Sequence, residues 1–231
     1  MSSTAKAKPH TLVEEVSGKL LIFVQKSQLE EQKRLPSERS LAEQFGVARG
    51  VVREAIKRLE FQGLLEVRQG SGVSAIHRLH LPLNTSLGFL LPNLHERLRQ
   101  MTEARIAIEP AIAEAAAHIA DRQQVAELWE IQDELLGAKT LKQAGLVDLS
   151  FHRALAEIAG NEVFKLILES MVDLYRESNK RTIETAGKTV AVEHHRKIIE
   201  AIEAGNAPSA GAAMREHLTA AASDLELAKK K

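Results

Sequence analysis

Cysteine is absent from the 231 residues. Disulfides, thiolate metal sites and a cysteine nucleophile are therefore excluded, and a cytoplasmic setting is the expectation. Aromatic residues are scarce, at 3% of the chain, while Ala and Leu dominate an apolar fraction of 44%. That balance favours packed helices over a sandwich or barrel. No apolar run reaches the eighteen or so residues that a membrane helix needs. The first ten residues, MSSTAKAKPH, lead into nothing like a signal peptide. Net charge is also missing, at +0 overall. It is unevenly spread, however. Residues 1–79 hold 13 Lys/Arg against 9 Asp/Glu, and residues 80–231 hold 18 against 22. A basic front and an acidic back suit a nucleic-acid reader joined to a second module.

Helical spacing runs through residues 10–31, with Leu12, Val13, Val16, Leu20, Phe23 and Val24 as the apolar set. Leu35-Pro36-Ser37-Glu38 then stops one helix and starts another, with Ser37 as its cap. That short helix ends at Gly46, and a third runs from Val47 or Ala48 to about Gln62. The period next changes to two. Leu65–Arg68 and Val73–Ile76 alternate around Gly70-Ser71-Gly72, which predicts a β-hairpin. Three helices and a hairpin outline a winged helix-turn-helix over residues 10–76. Residues 77–92, with Pro82, Asn84, Gly88 and Pro92, read as a linker. Residues 93–228 read as about six helices, near 94–119, 122–138, 141–159, 162–186, 189–204 and 207–228. The fold class expected is thus mainly α, with a winged head joined to an all-α antiparallel bundle.

Arg49 and Arg53 stand four apart and share the face opposite the apolar stripe of the third helix. Arg39 lies near the start of the preceding helix, and Lys57 further along suits a phosphate. An arginine fork matches O6 and N7 of guanine, and wing glycines such as Gly70 allow close approach to the duplex. In the second half, Asp148 and His152 share one helix face, and His195 and His217 lie on later helices. A carboxylate with imidazoles suits zinc first, then nickel, manganese or iron. His194 points about 100° away from His195, so both cannot face one centre. Arg105 sits on an Ala-rich helix. If buried it needs a partner, either a ligand carboxylate or Glu109 on the same helix. Asn161 is a second candidate for that ligand, or else a helix cap.

The stretch from Leu35 to Ala75, with Pro36-Ser37-Glu38-Arg39, Leu41-Ala42, Arg49, Val52-Arg53-Glu54-Ala55, Gly63-Leu64 and Gly70-Ser71-Gly72, resembles the DNA-binding domain of GntR-type regulators. Met101 to Leu218, through Arg105, Glu109-Pro110, Asp148-Leu149-Ser150-Phe151-His152, Gly160-Asn161, His195-Arg196 and His217-Leu218, resembles the FCD effector domain of the FadR-like subgroup. The resemblance implies a homodimer on a pseudo-palindromic operator. It makes Arg39, Arg49 and Arg53 the readers, with Ser37, Lys57 and Gly70 also at the DNA. It makes Asp148, His152, His195 and His217 ligands of a divalent metal, and beside them Arg105 and Asn161 are the residues expected to contact a small carboxylate effector. Two positions depart from the family pattern. Ala48 stands where Ser or Thr holds a phosphate, and Gly50 follows Arg49, which together imply a weakened head. The function expected is a metabolite-responsive repressor that is not an enzyme. The alternatives are a direct metal sensor or a zinc-dependent enzyme, the latter disfavoured because all four positions would coordinate and no His-Glu-x-x-His run is present.

Overall fold

The computed structural model describes residues 11–26, 34–68, 70–76, 78 and 80–228. The chain divides into two compact units at Leu83–Asn84.

In the first unit, α1 (Leu12–Lys26), α2 (Glu38–Phe45) and α3 (Arg49–Phe61) precede β1 (Leu65–Arg68) and β2 (Gly72–Ala75). The rest of the helix expected over 10–31 lies outside the described residues. Ser37 caps α2 by accepting from the Ser40 amide at 3.2 Å. Gly46 ends α2 with φ +66°, a left-handed conformation that costs a side-chain-bearing residue about 1 kcal/mol or more. Helix α3 starts at Ala48, whose methyl makes no capping bond. Its buried stripe is Val52, Ala55, Ile56 and Leu59, closed by Val16 and Leu20 of α1, Leu41 of α2 and Leu65 of β1. The two strands pair antiparallel, with Leu65 opposite Ala75 and Arg68 opposite Gly72. Gly70, at φ +76°, lies in the turn between them. The winged helix-turn-helix is therefore as its periodicities imply.

The stretch read as a linker contains a helix, α4 (His80–Leu90). Pro82 falls in its first turn, where a missing N–H leaves no hydrogen bond unmade. Proline there marks a start rather than a break.

Seven further helices follow: α5 (Leu94–Ile119), α6 (Arg122–Gly137), α7 (Leu141–Ile158), α8 (Glu162–Ser170), α9 (Val172–Ala186), α10 (Lys188–Glu203) and α11 (Ala207–Ala228). They form a bundle around a main core, to which Leu98, Ile112, Phe151, Leu155, Ile198, Met214 and Leu218 contribute, with a smaller cluster of Leu135, Ala138, Ala144, Val147 and Ile183. Asp121, Thr140 and Asn161 cap α6, α7 and α8. Pro110 sits inside α5 and withdraws the N–H that would bond the Ile106 carbonyl. Arg215 of α11 replaces it, with Nη1 at 3.3 Å from Ile106 O.

The single helix expected over 162–186 is two. The break falls at Met171 (φ −106°, ψ 4°). Beside it the Ser170 hydroxyl donates to Ile167 O at 2.6 Å, a local bond that competes with the helical ladder. This break lets α9 pack on α7, and so determines what lies opposite Asp148.

Candidate metal centre and nucleic-acid interface

Three helices deliver one buried cluster. Asp148 and His152 come from α7, His195 from α10 and His217 from α11, and all four are buried. One ligand-type atom from each lies within 4.8 Å of the others. His152 Nε2 is 3.3 Å from His217 Nε2 and 3.9 Å from Asp148 Oδ2. His195 Nε2 is 3.4 Å from Asp148 Oδ1, although the geometry is not that of a hydrogen bond. Both ring nitrogens of His195 are buried without a hydrogen-bond partner among the described residues. An unpaired buried polar atom is costly. Burial first, and the neighbouring His152, press the His195 pKa well below its ordinary value. Burial, His195 and His152 do the same to His217. Neutral imidazoles beside a carboxylate, with an orphaned nitrogen among them, are the donor set that a divalent metal takes.

The surroundings hold these side chains in place. His152 Nδ1 is hydrogen-bonded to Glu109 Oε2, which leaves Nε2 for the cluster. A ligating histidine is ordinarily oriented in this way by a carboxylate on its other nitrogen. His195 stacks on Phe151, with ring centroids 3.8 Å apart. Asp148 Oδ2 accepts from Asn179 Nδ2 at 2.7 Å and from the Tyr175 hydroxyl at 3.2 Å.

Arg105 adjoins the cluster and is 2% exposed. Its Nε donates to Glu109 Oε1 at 2.5 Å, and its Nη2 to the Tyr175 hydroxyl at 2.7 Å. Burial works against both charges of this pair. Their mutual attraction prevails, so the Arg105 pKa is raised and the Glu109 pKa is lowered. The partner of Arg105 is therefore Glu109, one of the two read from sequence. No hydrogen bond among the described residues uses Arg105 Nη1.

A cleft opens beside the cluster, lined among others by Arg105, Asp148, Asn179, His194, His217 and Asp224. The space in it that a water-sized sphere can occupy is about 30 Å³, room for one or two waters. Asn161 is not among its lining residues. Its side chain accepts from the amides of Val163 and Phe164 at 3.0 and 3.4 Å, which gives it the capping role. Glu109, Tyr175 and Asn179 were not singled out as site residues by sequence. Glu109 carried the signal of an acid four residues after Arg105, in the Glu109-Pro110 pair that shares in the FCD resemblance. Tyr175 and Asn179 carried the i, i+4 spacing of two polar groups on α9.

In the first unit, Arg39, Arg49, Arg53 and Lys57 are all exposed. Arg53 clasps Glu38 through Nη2 at 2.9 Å and Nε at 3.2 Å, while Arg49 Nη2 stands 3.7 Å from the same carboxylate. Glu38 thus gathers two candidate readers at the start of α3, and its pKa is lowered chiefly by the Arg53 hydrogen bond. Arg39 is held by Glu43 at 3.0 Å and Lys57 by Glu54 at 3.0 Å. Ser37 is occupied as a cap. The wing turn with Gly70 completes a surface that presents cations and a backbone free of bulk.

Comparison with known proteins fits this arrangement. The family model "Bacterial regulatory proteins, gntR family" matches residues 12–74, and the FCD domain model matches residues 100–220. The HTH-type transcriptional regulator LutR of Bacillus subtilis is 32% identical over 211 residues, covering 85% of this chain and 93% of that protein. The HTH-type transcriptional repressor NanR of Enterobacter sp. is 28% identical, covering 93% and 84%. Among solved structures, Streptococcus agalactiae GntR superposes with a TM-score of 0.77 at 27% identity, covering 91% of this chain and 99% of that one.

Proposed function

The chain belongs to the GntR family of bacterial regulatory proteins and carries an FCD domain, and within that family we propose that it is a metabolite-responsive repressor sensing a small organic acid beside a bound metal. It is a DNA-binding transcription regulator and not an enzyme. The observation that carries the proposal is the buried Asp148, His152, His195 and His217 cluster beside a cleft that also holds Arg105. These residues fit zinc, with nickel, manganese or iron as alternatives. When bound, the metal would supply a Lewis-acid position for a carboxylate or hydroxyl oxygen. The chain's own part is to orient and to exclude water. Glu109 fixes His152, Tyr175 and Asn179 fix Asp148, and Arg105 Nη1 offers its free N–H groups to the acid.

The cleft is too small for anything beyond a water or two. Binding an acid would therefore displace the side chains or helices that line the cleft, so its binding free energy would depend on their arrangement. That dependence is what a population shift requires. In a homodimer the two α3 helices would read half-sites about 34 Å apart on a pseudo-palindrome. Arg39, Arg49 and Arg53 would make the base or backbone contacts, with Ser37, Lys57 and Gly70 at the phosphates and wing. The relative NanR is a transcriptional repressor, and DNA release on binding acid, in the cytoplasm, is the outcome we assign.

The test is footprinting on the DNA flanking the protein's own gene, with zinc, with hydroxy acids and dicarboxylates, and with both. Release by an acid only when metal is present supports the proposal. Tighter binding with acid overturns the repressor sign. Release by metal alone makes the chain a direct metal sensor. That second reading gains from one observation: Arg105 already has Glu109 and Tyr175 as partners, so its charge does not by itself require a ligand.

A further inference from the structure

Arg39 with Glu43 and Lys57 with Glu54 are ordinary surface pairs, each within one helix and three or four residues apart. The pair of Glu38 with Arg53 differs. It spans fifteen residues, from the first position of α2 to the second turn of α3. The Glu38 side chain is 27% exposed, against 53% for Arg53 and 61% for Arg49. The anion is thus the covered partner, and the cations face solvent. Arg53 meets Glu38 side-on. Its Nε is 3.2 and 3.3 Å from the two carboxylate oxygens, and its Nη2 is 2.9 Å from Oε2. A guanidinium has five N–H groups, and this clasp takes one on Nε and one on Nη2. No hydrogen bond among the described residues uses Arg53 Nη1. The end-on edge, made by Nη1 and Nη2, therefore keeps two parallel N–H groups, the arrangement that spans O6 and N7 of guanine. Arg49 Nη2 is 3.7 Å from the same Oε2, near enough for attraction and too far for a hydrogen bond.

We propose that Glu38 is a positioning residue for sequence reading: it holds Arg53 with the end-on edge outward, keeps Arg49 beside it, and repels phosphate from both. The inference rests on the assignment of Arg49 and Arg53 as readers. A free arginine loses rotamer freedom when it docks on a base. One clasped by a carboxylate has lost that freedom already. A phosphate brings negative charge towards Glu38, and like charges set against each other oppose binding. A guanine edge brings no net charge. Glu38 therefore weakens binding to arbitrary DNA, which is carried by phosphate contacts, and strengthens binding to the sequence that offers guanine. What it sets is the ratio of the two affinities, the quantity that decides where a regulator sits on a genome. The hydrogen bond from Arg53, more than any other influence, lowers the Glu38 pKa, so the carboxylate is charged at neutral pH.

The test uses the full chain and two DNA duplexes: the sequence that the unmodified protein selects from a randomised library, and a scramble of it. Glu38→Gln keeps the shape and removes the charge. Its affinity for the selected duplex is expected to fall by about three- to tenfold, while its affinity for the scramble rises by about two- to fivefold. A head that was merely less stable would lose affinity for both duplexes alike, and that result overturns the proposal. The same change is then made in a chain carrying Arg49→Ala and Arg53→Ala. With nothing left to position, the selected-to-scrambled ratio should no longer depend on residue 38. A dependence that survives there means that Glu38 touches a base itself, as when a carboxylate accepts from a cytosine amine, and overturns the positioning role. If the two arginine substitutions lower the ratio and Glu38→Gln alone does not, the positioning role falls and the readers stand. If the arginine substitutions leave the ratio unchanged, the reader assignment falls, and this inference with it. An unmodified chain that selects no sequence removes both.

Discussion

Glu109→Gln is the substitution that the bundle should tolerate least. Glu109 touches both Arg105 and His152, and it is 1% exposed. The amide keeps the shape and one acceptor oxygen but removes the charge. Breaking a buried pair from one side costs about 3–5 kcal/mol, since the remaining charge is left uncompensated. Arg105 would keep the Tyr175 hydroxyl at 2.7 Å and the more distant attraction of Asp148, so the lower end, about 3 kcal/mol, is expected. Against a typical domain stability of about 5–15 kcal/mol, the variant remains folded with little to spare. The second effect is on metal. His152 loses the carboxylate that orients it, and affinity should fall by about 10- to 100-fold. The single tryptophan, Trp129 of α6, packs against the bundle core, so its fluorescence during urea unfolding reports on this unit. Chelator competition gives the metal affinity. Arg105→Met combined with Glu109→Gln should recover stability to within about 1–2 kcal/mol of the unmodified chain, because both charges are gone. The metal defect should persist in the double variant. A Glu109→Gln protein that loses under about 1 kcal/mol and holds zinc as tightly as before would refute the coupling of ion pair and ligand.

Other outcomes follow from single residues. Ala48→Ser supplies the missing cap of α3 and should stabilise the head by about 0.5–2 kcal/mol, read in thermal unfolding, with tighter operator binding in the same variant. Arg53→Ala should weaken operator binding by about 1–3 kcal/mol and relax the base preference at one position, measured against a panel of single-base variants; an equal loss on every sequence would mean a phosphate contact instead. For pH, the sign follows from His195 and His217, whose folded pKa values are pressed below the ordinary 6.5. The unfolded chain takes up these protons first, so the metal-free bundle is stable above about pH 6.5 and weakens as pH falls below it, by about 1.4 kcal/mol per pH unit for each histidine. Urea titrations at pH 7.5, 6.5 and 5.5 would show it, and a flat profile would place both imidazoles in water.

What was legible in the sequence was what is local. The hairpin shows as a change of period at Leu65, and the face shared by Arg49 and Arg53 follows from helical geometry. The same geometry separates His194 from His195, and the structure keeps that separation, with one histidine in the ligand cluster and the other in the cleft wall. Convergence is not local. Tyr175 and Asn179 reach Asp148 only because the chain breaks at Met171, and nothing in the spacing of 162–186 marks that break. Proline misled in the other direction. Pro82 read as linker where it opens α4, since its cost depends on whether it falls in the first turn. Arg105 shows how far each kind of reasoning carries. Sequence demanded a partner for it and left two open. The structure supplies Glu109 and Tyr175, which together take Nε and Nη2. What Arg105 has left for an effector carboxylate is thereby reduced to the N–H groups of Nη1. An acid held there by one oxygen would need its other oxygen bound elsewhere, and the cluster of Asp148, His152, His195 and His217 is the neighbour that, with a metal, could take it.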